Sequence, residues 1–191
     1  MSEVLSVAFK EWAVVIRALG QGEQIVILRK GGIHEKDGRF HVEHDSFLLY
    51  PTYEHQKAAD LSFKGQLFLK EIQKALPLKN PERVTFNFFA RVEDVVWIGE
   101  RVSLLNLDAF HIWSETALME RFSRGPEQGI YALLVRVYQL SQAVSLPDLP
   151  AYGGCRSWVS LQTPVTLPSA KPVLSDSSFR SKLQEIQEIL S

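Results

Sequence analysis

Four of the five histidines, His34, His41, His44 and His55, fall within residues 21–56. Beside them stand Gly31-Gly32 and the run Phe47-Leu48-Leu49-Tyr50-Pro51-Thr52-Tyr53-Glu54-His55-Gln56. Imidazole near carboxylate and phenol can bind a metal or relay a proton. Asp37-Gly38 is a strong hairpin signal, because both residues tolerate the positive φ of a two-residue turn. With that turn His34 faces His41. His34, Lys36, Arg39, His41 and Glu43 then share one face, and Ile33, Glu35, Phe40 and Val42 the other. His34, His41 and Glu43 would supply two imidazoles and a carboxylate, a set suited to zinc or a non-haem metal, with His44, Asp45 and His55 nearby. The spacing matches no standard metal signature, and in a strand His41-x-x-His44 divides between two faces. A hairpin with one wet face explains the same pattern.

Other residues suit other chemistry. Arg29, Lys30, Gly31 and Gly32 follow a strand, and a helix start at Thr52 would offer free N–H groups. Together they could hold a phosphate or carboxylate. No phosphate-loop motif is present, and a glycine turn beside an ordinary cap uses the same residues. His55 with Glu54, Tyr50 or Tyr53 could act as a general base. Cys155 stands beside Arg156, which would favour a thiolate, yet a lone cysteine between glycines and arginine is poor evidence for catalysis. No nucleophile elbow occurs, so no catalytic residue and no cofactor is assigned. Tyr50, Tyr53, Trp113, Tyr152 and Trp158 beside Arg29, Lys30, Arg91, Arg136 and Arg156 would stack bases if one concave surface gathered them. Each aromatic alone is more often a core residue. His111 and Trp113 alternate and would point the same way, with a structural histidine as the plainer reading.

Elements must position these groups. Phe9, Trp12, Ala13, Ile16 and Leu19 recur at helical spacing, which predicts a helix over about 6–19, stopped by Gly20 and Gly22. Residues 24–30 read as a buried strand and 47–50 as a short one. Thr52 reads as the cap of a helix that continues to Leu76, with a break near Gly65, before Pro77 and Pro81. Val84, Phe86, Phe88, Ala90 and Val92 alternate with polar residues, a strand reaching about Trp97. Ser114 would cap a short helix carrying Leu118, Met119 and Phe122. Residues 130–140 and 156–161 read as further strands. Pro164, Pro168 and Pro172 mark a linker. After it Phe179, Leu183, Ile186 and Leu190 form a helical stripe. That stripe would pack on its own domain or, less simply, dock a partner or a second copy.

The chain has 191 residues, 46% of them hydrophobic, enough for a core, and a formal net charge of -1. That charge gives no bulk attraction to nucleic acid or anionic lipid, so any nucleic-acid role needs a local basic patch. One cysteine excludes an internal disulfide and points to a reducing cytoplasm. No membrane span and no signal peptide are read.

The chain resembles the domain-of-unknown-function family 1802. The likeness rests on Glu11-Trp12-Ala13, Leu28-Arg29-Lys30-Gly31-Gly32-Ile33-x-Glu35, Phe47 through Gln56, His111-Ile112-Trp113 and Tyr152-Gly153-Gly154-Cys155-x-Ser157-Trp158, over about residues 6–162. Members of that family occur beside restriction-type nuclease regions, which implies a role near nucleic acid. Gly22-x-Gln24-x-x-Ile27-x-Arg29 also resembles the Gly-x-Lys-x-x-Glu-x-Arg motif of ASCH domains. Gln24 and Ile27 replace its charged pair, so only Gly22 and Arg29 carry over. This second resemblance implies a PUA-like barrel whose relatives bind RNA or modified bases, and not ribonuclease chemistry.

The expectation is an α+β fold, a mixed curved β-sheet or PUA-like barrel with flanking helices and a C-terminal helix. Residues 1–162 form the domain, 163–175 the linker and 176–191 the helix. The leading function is a cytoplasmic module for RNA, DNA or a nucleotide, with Arg29, Lys30, Gly31, Gly32, Tyr50, Tyr53, His55 and Gln56 as its pocket. Arg29 and Lys30 would meet phosphate, the tyrosines would stack and Gln56 would read a base edge. The alternatives are a metal-dependent hydrolase or nuclease on the histidine cluster and a non-catalytic interaction module.

Overall fold

Phe9, Trp12, Ile16 and Leu19 keep helical spacing across a boundary between two kinds of element. Val4–Trp12 is a strand, β1, and Ala13–Gly20 is the helix α1. Strand β1 lies inside the sheet with Ala8 and Phe9 both fully buried. A strand buried on both faces shows no polar alternation, which is why its apolar residues pass for a helix. The helix ends where the glycines predict. Gly22 takes φ +71°, its N–H donates to Leu19 O (3.0 Å), and Glu23 N–H donates to Ala18 O (3.0 Å). These two bonds close the helix in a left-handed cap.

The computed structural model describes residues 3–30, 41–75, 82–125 and 127–191. Beyond α1 the chain forms β2 (Val26–Arg29), β3 (Ser46–Thr52), α2 (Phe63–Ala75), β4 (Arg83–Ile98) and α3 (Arg101–Leu105). It continues with α4 (Glu115–Phe122), β5 (Ile130–Pro147), β6 (Trp158–Thr166), β7 (Ala170–Pro172) and α5 (Asp176–Leu190). The strands make one open, curved, mixed sheet in the order β2-β5-β4-β3-β1-β6, with β7 added on β5. Only β1 and β3 run parallel; the other recorded pairs are antiparallel. Register shifts between Leu5 and Val7, Phe86 and Phe88, and Val92 and Asp94 bend the ladder. The fold is α+β, as the irregular order of strands and helices implies.

Both faces of the sheet are covered. Phe9, Phe47, Leu49, Ile27 and Leu133 pack with α1, α2, α4 and α5 in one cluster. Ala8, Leu48, Tyr50, Phe86, Phe89, Val159 and Leu161 form a second cluster on the other side. Phe179 and Ile186 of α5 are buried in the first cluster, with Leu183 and Leu190 against it. Ser175 caps α5 by accepting from Ser178 N–H (3.2 Å), Lys182 donates to Glu23 O (3.1 Å), and Arg136 pairs with Asp176. The stripe therefore packs on its own domain. Residues 163–166 complete β6 and β7 falls within the same proline-bearing stretch. Among the described residues no helix is long and apolar enough to cross a membrane.

The expected helix start at Thr52 and the expected break at Gly65 both differ from what is seen. Thr52 ends β3 instead of capping a helix, and the helix begins at Phe63. Gly65 does not break α2; it lets the helix approach Ile112, whose carbonyl would lie 2.7 Å from an added Cβ. Ser114 caps α4 as expected, accepting from Ala117 N–H (3.3 Å). The Asp37-Gly38 hairpin lies outside the described residues.

Candidate binding site at the ends of β1 and β3

The parallel pair aligns Lys10 with Tyr50, Glu11 with Pro51 and Trp12 with Thr52. Thr52 Oγ1 donates to Glu11 O (3.0 Å), locking the two ends. The chain then turns into α1, whose Val14 N–H donates to Gln56 Oε1 (3.0 Å). Because side chains alternate along a strand, Glu11 and Lys10 open onto opposite sides.

On the Glu11 side, the carboxylate is 4% exposed. Its Oε2 lies 3.1 Å from Arg29 Nη2 and its Oε1 accepts from Trp12 N–H (2.7 Å). Arg29 also donates to Lys10 O, and its guanidinium carbon lies 4.7 Å from the centre of the Phe9 ring. Arg29 Nε is buried and has no partner among the described residues. Next to this pair the Trp12 and Trp113 rings are 4.9 Å apart at 54°. An isolated bridge from Leu61 and the bond from Ser62 N–H to Ile112 O (2.9 Å) fix Trp113. Arg121 of α4 stands 3.5 Å from the Trp113 ring centre and 5.5 Å from that of Trp12. Among the described residues its guanidinium makes no hydrogen bond or ion pair. Burial pushes Arg121 below its ordinary pKa, Arg29 and Arg124 push the same way, and Glu11 and Asp60 oppose them. A guanidinium stays charged through such shifts.

On the other side, Lys10 Nζ donates to Gly154 O (3.2 Å) and lies 5.5 Å from the centre of the Tyr50 ring. Tyr50 is 6% exposed and its hydroxyl donates to Asp148. Burial and this bond raise the Tyr50 phenol above its usual range. Burial lowers the Lys10 ammonium, helped by Arg156 and opposed by Asp148, Cys155 and Glu54. Cys155 is exposed and unbridged.

The residues singled out in the sequence are distributed as follows. Arg29 reaches the Glu11 side. Lys30 points elsewhere, donating to Phe122 O (3.3 Å), Gly129 O (2.7 Å) and Glu127 O, and lying 5.4 Å from the centre of the Trp97 ring. Gln56 uses its carbonyl for Val14 and its NH₂ for Tyr53 O (3.2 Å). Tyr53 is half-buried, and burial raises its phenol. His55 is exposed, with φ +62°. His41 O accepts from Trp158 Nε1 (2.9 Å), and the His44 ring lies 5.4 Å from that of Trp158. Glu43 is exposed. Gly31, Gly32 and His34 lie outside the described residues. Among the described residues no three of His, Cys, Asp and Glu are placed to hold a metal.

His111 is buried; its Nδ1 accepts from Trp113 N–H (3.3 Å) and its Nε2 has no partner among the described residues. Burial lowers its pKa to about 4, opposed by Asp108. Sequence reasoning missed Glu11, Lys10, Arg121 and Asp148 as site residues. Nothing local distinguishes them, since Arg121 and Asp148 meet β1 only through the fold. Two concavities lie away from this site. A cavity of about 10 Å³ is lined by Gln24, Arg136 and Phe179, and an open groove of about 390 Å³ by Gln139, Ser141, Ser169 and Lys171.

The model of the family described as Domain of unknown function (DUF1802) matches residues 8–185. The chain belongs to that family. The match takes in the whole candidate site and most of α5. Among solved structures, the chain is similar to the ASCH protein of Zymomonas mobilis at 12% identity, covering 94% of this chain and 93% of that one, with a TM-score of 0.44. Two point mutants of the same protein give TM-scores of 0.46 and 0.44, also at 12% identity and 94% of this chain, with 96% and 94% of theirs. No curated protein matches the chain.

Proposed function

We propose that this protein is a nucleic-acid- or nucleotide-binding module whose phosphate site is the Glu11 side of the β1–β3 ends. The observation that carries the reading is Arg121, a stacked guanidinium with none of its donors engaged by the described residues. A guanidinium stacked on a ring, half-buried and with no protein acceptor among the described residues, keeps its fork of donors available to an anion. Arg29, with its unpartnered Nε, stands close enough to act on Arg121 electrostatically. Guanidinium groups match phosphate geometry, and a half-buried Trp12 beside them offers a ring for a base. Tyr53 and His55 follow directly on the end of β3, Tyr53 half-buried and His55 exposed. Lys30, Tyr50 and Gln56 are held by protein partners and support the site's shape. The reading places the protein in the cytoplasm, in keeping with the unbridged Cys155.

The test is fluorescence anisotropy with labelled single-stranded RNA, single-stranded DNA and duplex DNA over a salt series. Binding should weaken with salt, and Arg121→Gln should reduce the slope by about one. Failure of all three, and of a labelled nucleoside triphosphate, to bind at low salt would sink the proposal.

A further inference from the structure

We infer that the protein binds a single ordered water in its interior, bridging Gln24 on the α1–β2 connection to Arg136 on β5, beside the start of α5. The inference stands apart from the nucleic-acid reading.

Four buried side-chain atoms have no partner among the described residues: Gln24 Oε1, Arg29 Nε, His111 Nε2 and Arg136 Nε. Buried polar groups are as a rule hydrogen-bonded, to protein or to ordered water. Gln24 and Arg136 line one and the same cavity, with Leu19, Val137, Leu174 and Phe179 among its apolar walls. Its volume of about 10 Å³ is close to that of one water-sized sphere.

The chemistry of the two atoms selects the occupant. Gln24 is 2% exposed, and its Nε2 donates to Val26 O (2.8 Å). That bond fixes the amide, since turning it over would set its oxygen against a carbonyl. Oε1 is therefore an acceptor. Arg136 Nε is a donor on a group that stays charged. An anion would be repelled by the Gln24 oxygen, and a cation by the guanidinium. A water accepts from the one and donates to the other. Cavities stay dry where their lining is apolar, and this lining is not.

The bridge completes a joint for α5. Arg136 pairs with Asp176 in the first turn of that helix, and its guanidinium carbon lies 5.1 Å from the centre of the Phe179 ring. Leu174 packs directly on Gly22, where an added Cβ would lie 2.5 Å from Leu174 Cδ2. Lys182 ties α5 to the same connection through Glu23 O (3.1 Å). With the water in place, Arg136 joins β5, α5 and the turn after α1 at one point.

The experiment pairs a high-resolution crystal structure of the full chain with oxygen-17 magnetic relaxation dispersion, which counts long-lived internal waters. The crystal should show one water within hydrogen-bond distance of both Gln24 Oε1 and Arg136 Nε. Gln24→Leu and Arg136→Lys each remove one partner, and each should lower the dispersion amplitude by about one water. Arg136→Lys keeps a cation for Asp176, so the test survives if the buried Gln24 variant fails to fold. A direct hydrogen bond between Gln24 and Arg136, or a dry cavity, overturns the inference. So does an amplitude unchanged in a folded variant.

Discussion

The guanidinium carbon of Arg121 lies 3.5 Å from the centre of the Trp113 ring, and Trp113 is itself 2% exposed. A core side chain thus forms the floor on which a candidate ligand contact rests. Trp113→Ala should cost about 3–5 kcal/mol through the cavity it leaves. It should also weaken strand binding beyond what lost folding explains. Urea unfolding and anisotropy on the same preparation check both; full binding by a destabilised variant would detach Arg121 from its floor.

The Glu11–Arg29 pair makes a second prediction. Arg29→Met should destabilise by about 3–5 kcal/mol, because it strands a buried carboxylate. Combining it with Glu11→Gln should recover much of the loss, since the uncompensated charge is gone. A double-mutant cycle from chemical denaturation measures this. Strict additivity would mean that the two residues do not hold each other.

His111 predicts a pH dependence. Its folded pKa lies at about 4, below the ordinary 6.5. The unfolded chain therefore binds the proton first as pH falls. Stability that His111 contributes above pH 6.5 is lost as pH drops towards 4, to about 3 kcal/mol at most. His111→Asn, whose amide oxygen can take the bond from Trp113 N–H, should flatten this part of the profile. Equal slopes for variant and parent between pH 6.5 and 4 would refute the assignment.

Removal of residues 173–191 exposes the core beneath Phe179 and Ile186. The melting temperature should fall sharply in a protein that is monomeric before and after. Phe179→Ala alone should cost about 3–5 kcal/mol. An unchanged melting temperature would show that α5 contributes little to the fold.

Much of this architecture is legible in the residues. The Gly22 stop, the Ser114 cap, the long strands β4 and β5 and the stripe of α5 all follow from local rules. Local rules fail where an element is buried on two sides or where distance in sequence hides contact. Strand β1 passes for a helix because its middle, Val7 to Phe9, is buried on both faces. The β4 alternation breaks at its bulges, so that Phe89 joins the second cluster while Phe88 packs on the first. Arg29 and Lys30 look like one cationic site in the sequence, yet neighbours on an extended chain point apart. Only Arg29 reaches the Glu11 side. Its companion Arg121 comes from α4, brought in by the bridge between Leu61 and Trp113, which no spacing announces.

The position of β1 has a bearing on how the protein is born. Its two sheet neighbours, β3 and β6, both come later in the chain, and α5 later still closes the core that Phe9 faces. During synthesis this strand therefore emerges with both hydrogen-bonding edges unpaired and its apolar side chains uncovered until the later segments arrive. Pairings of that reach make folding slow, and an unpaired strand held open is the kind of surface chaperones shield.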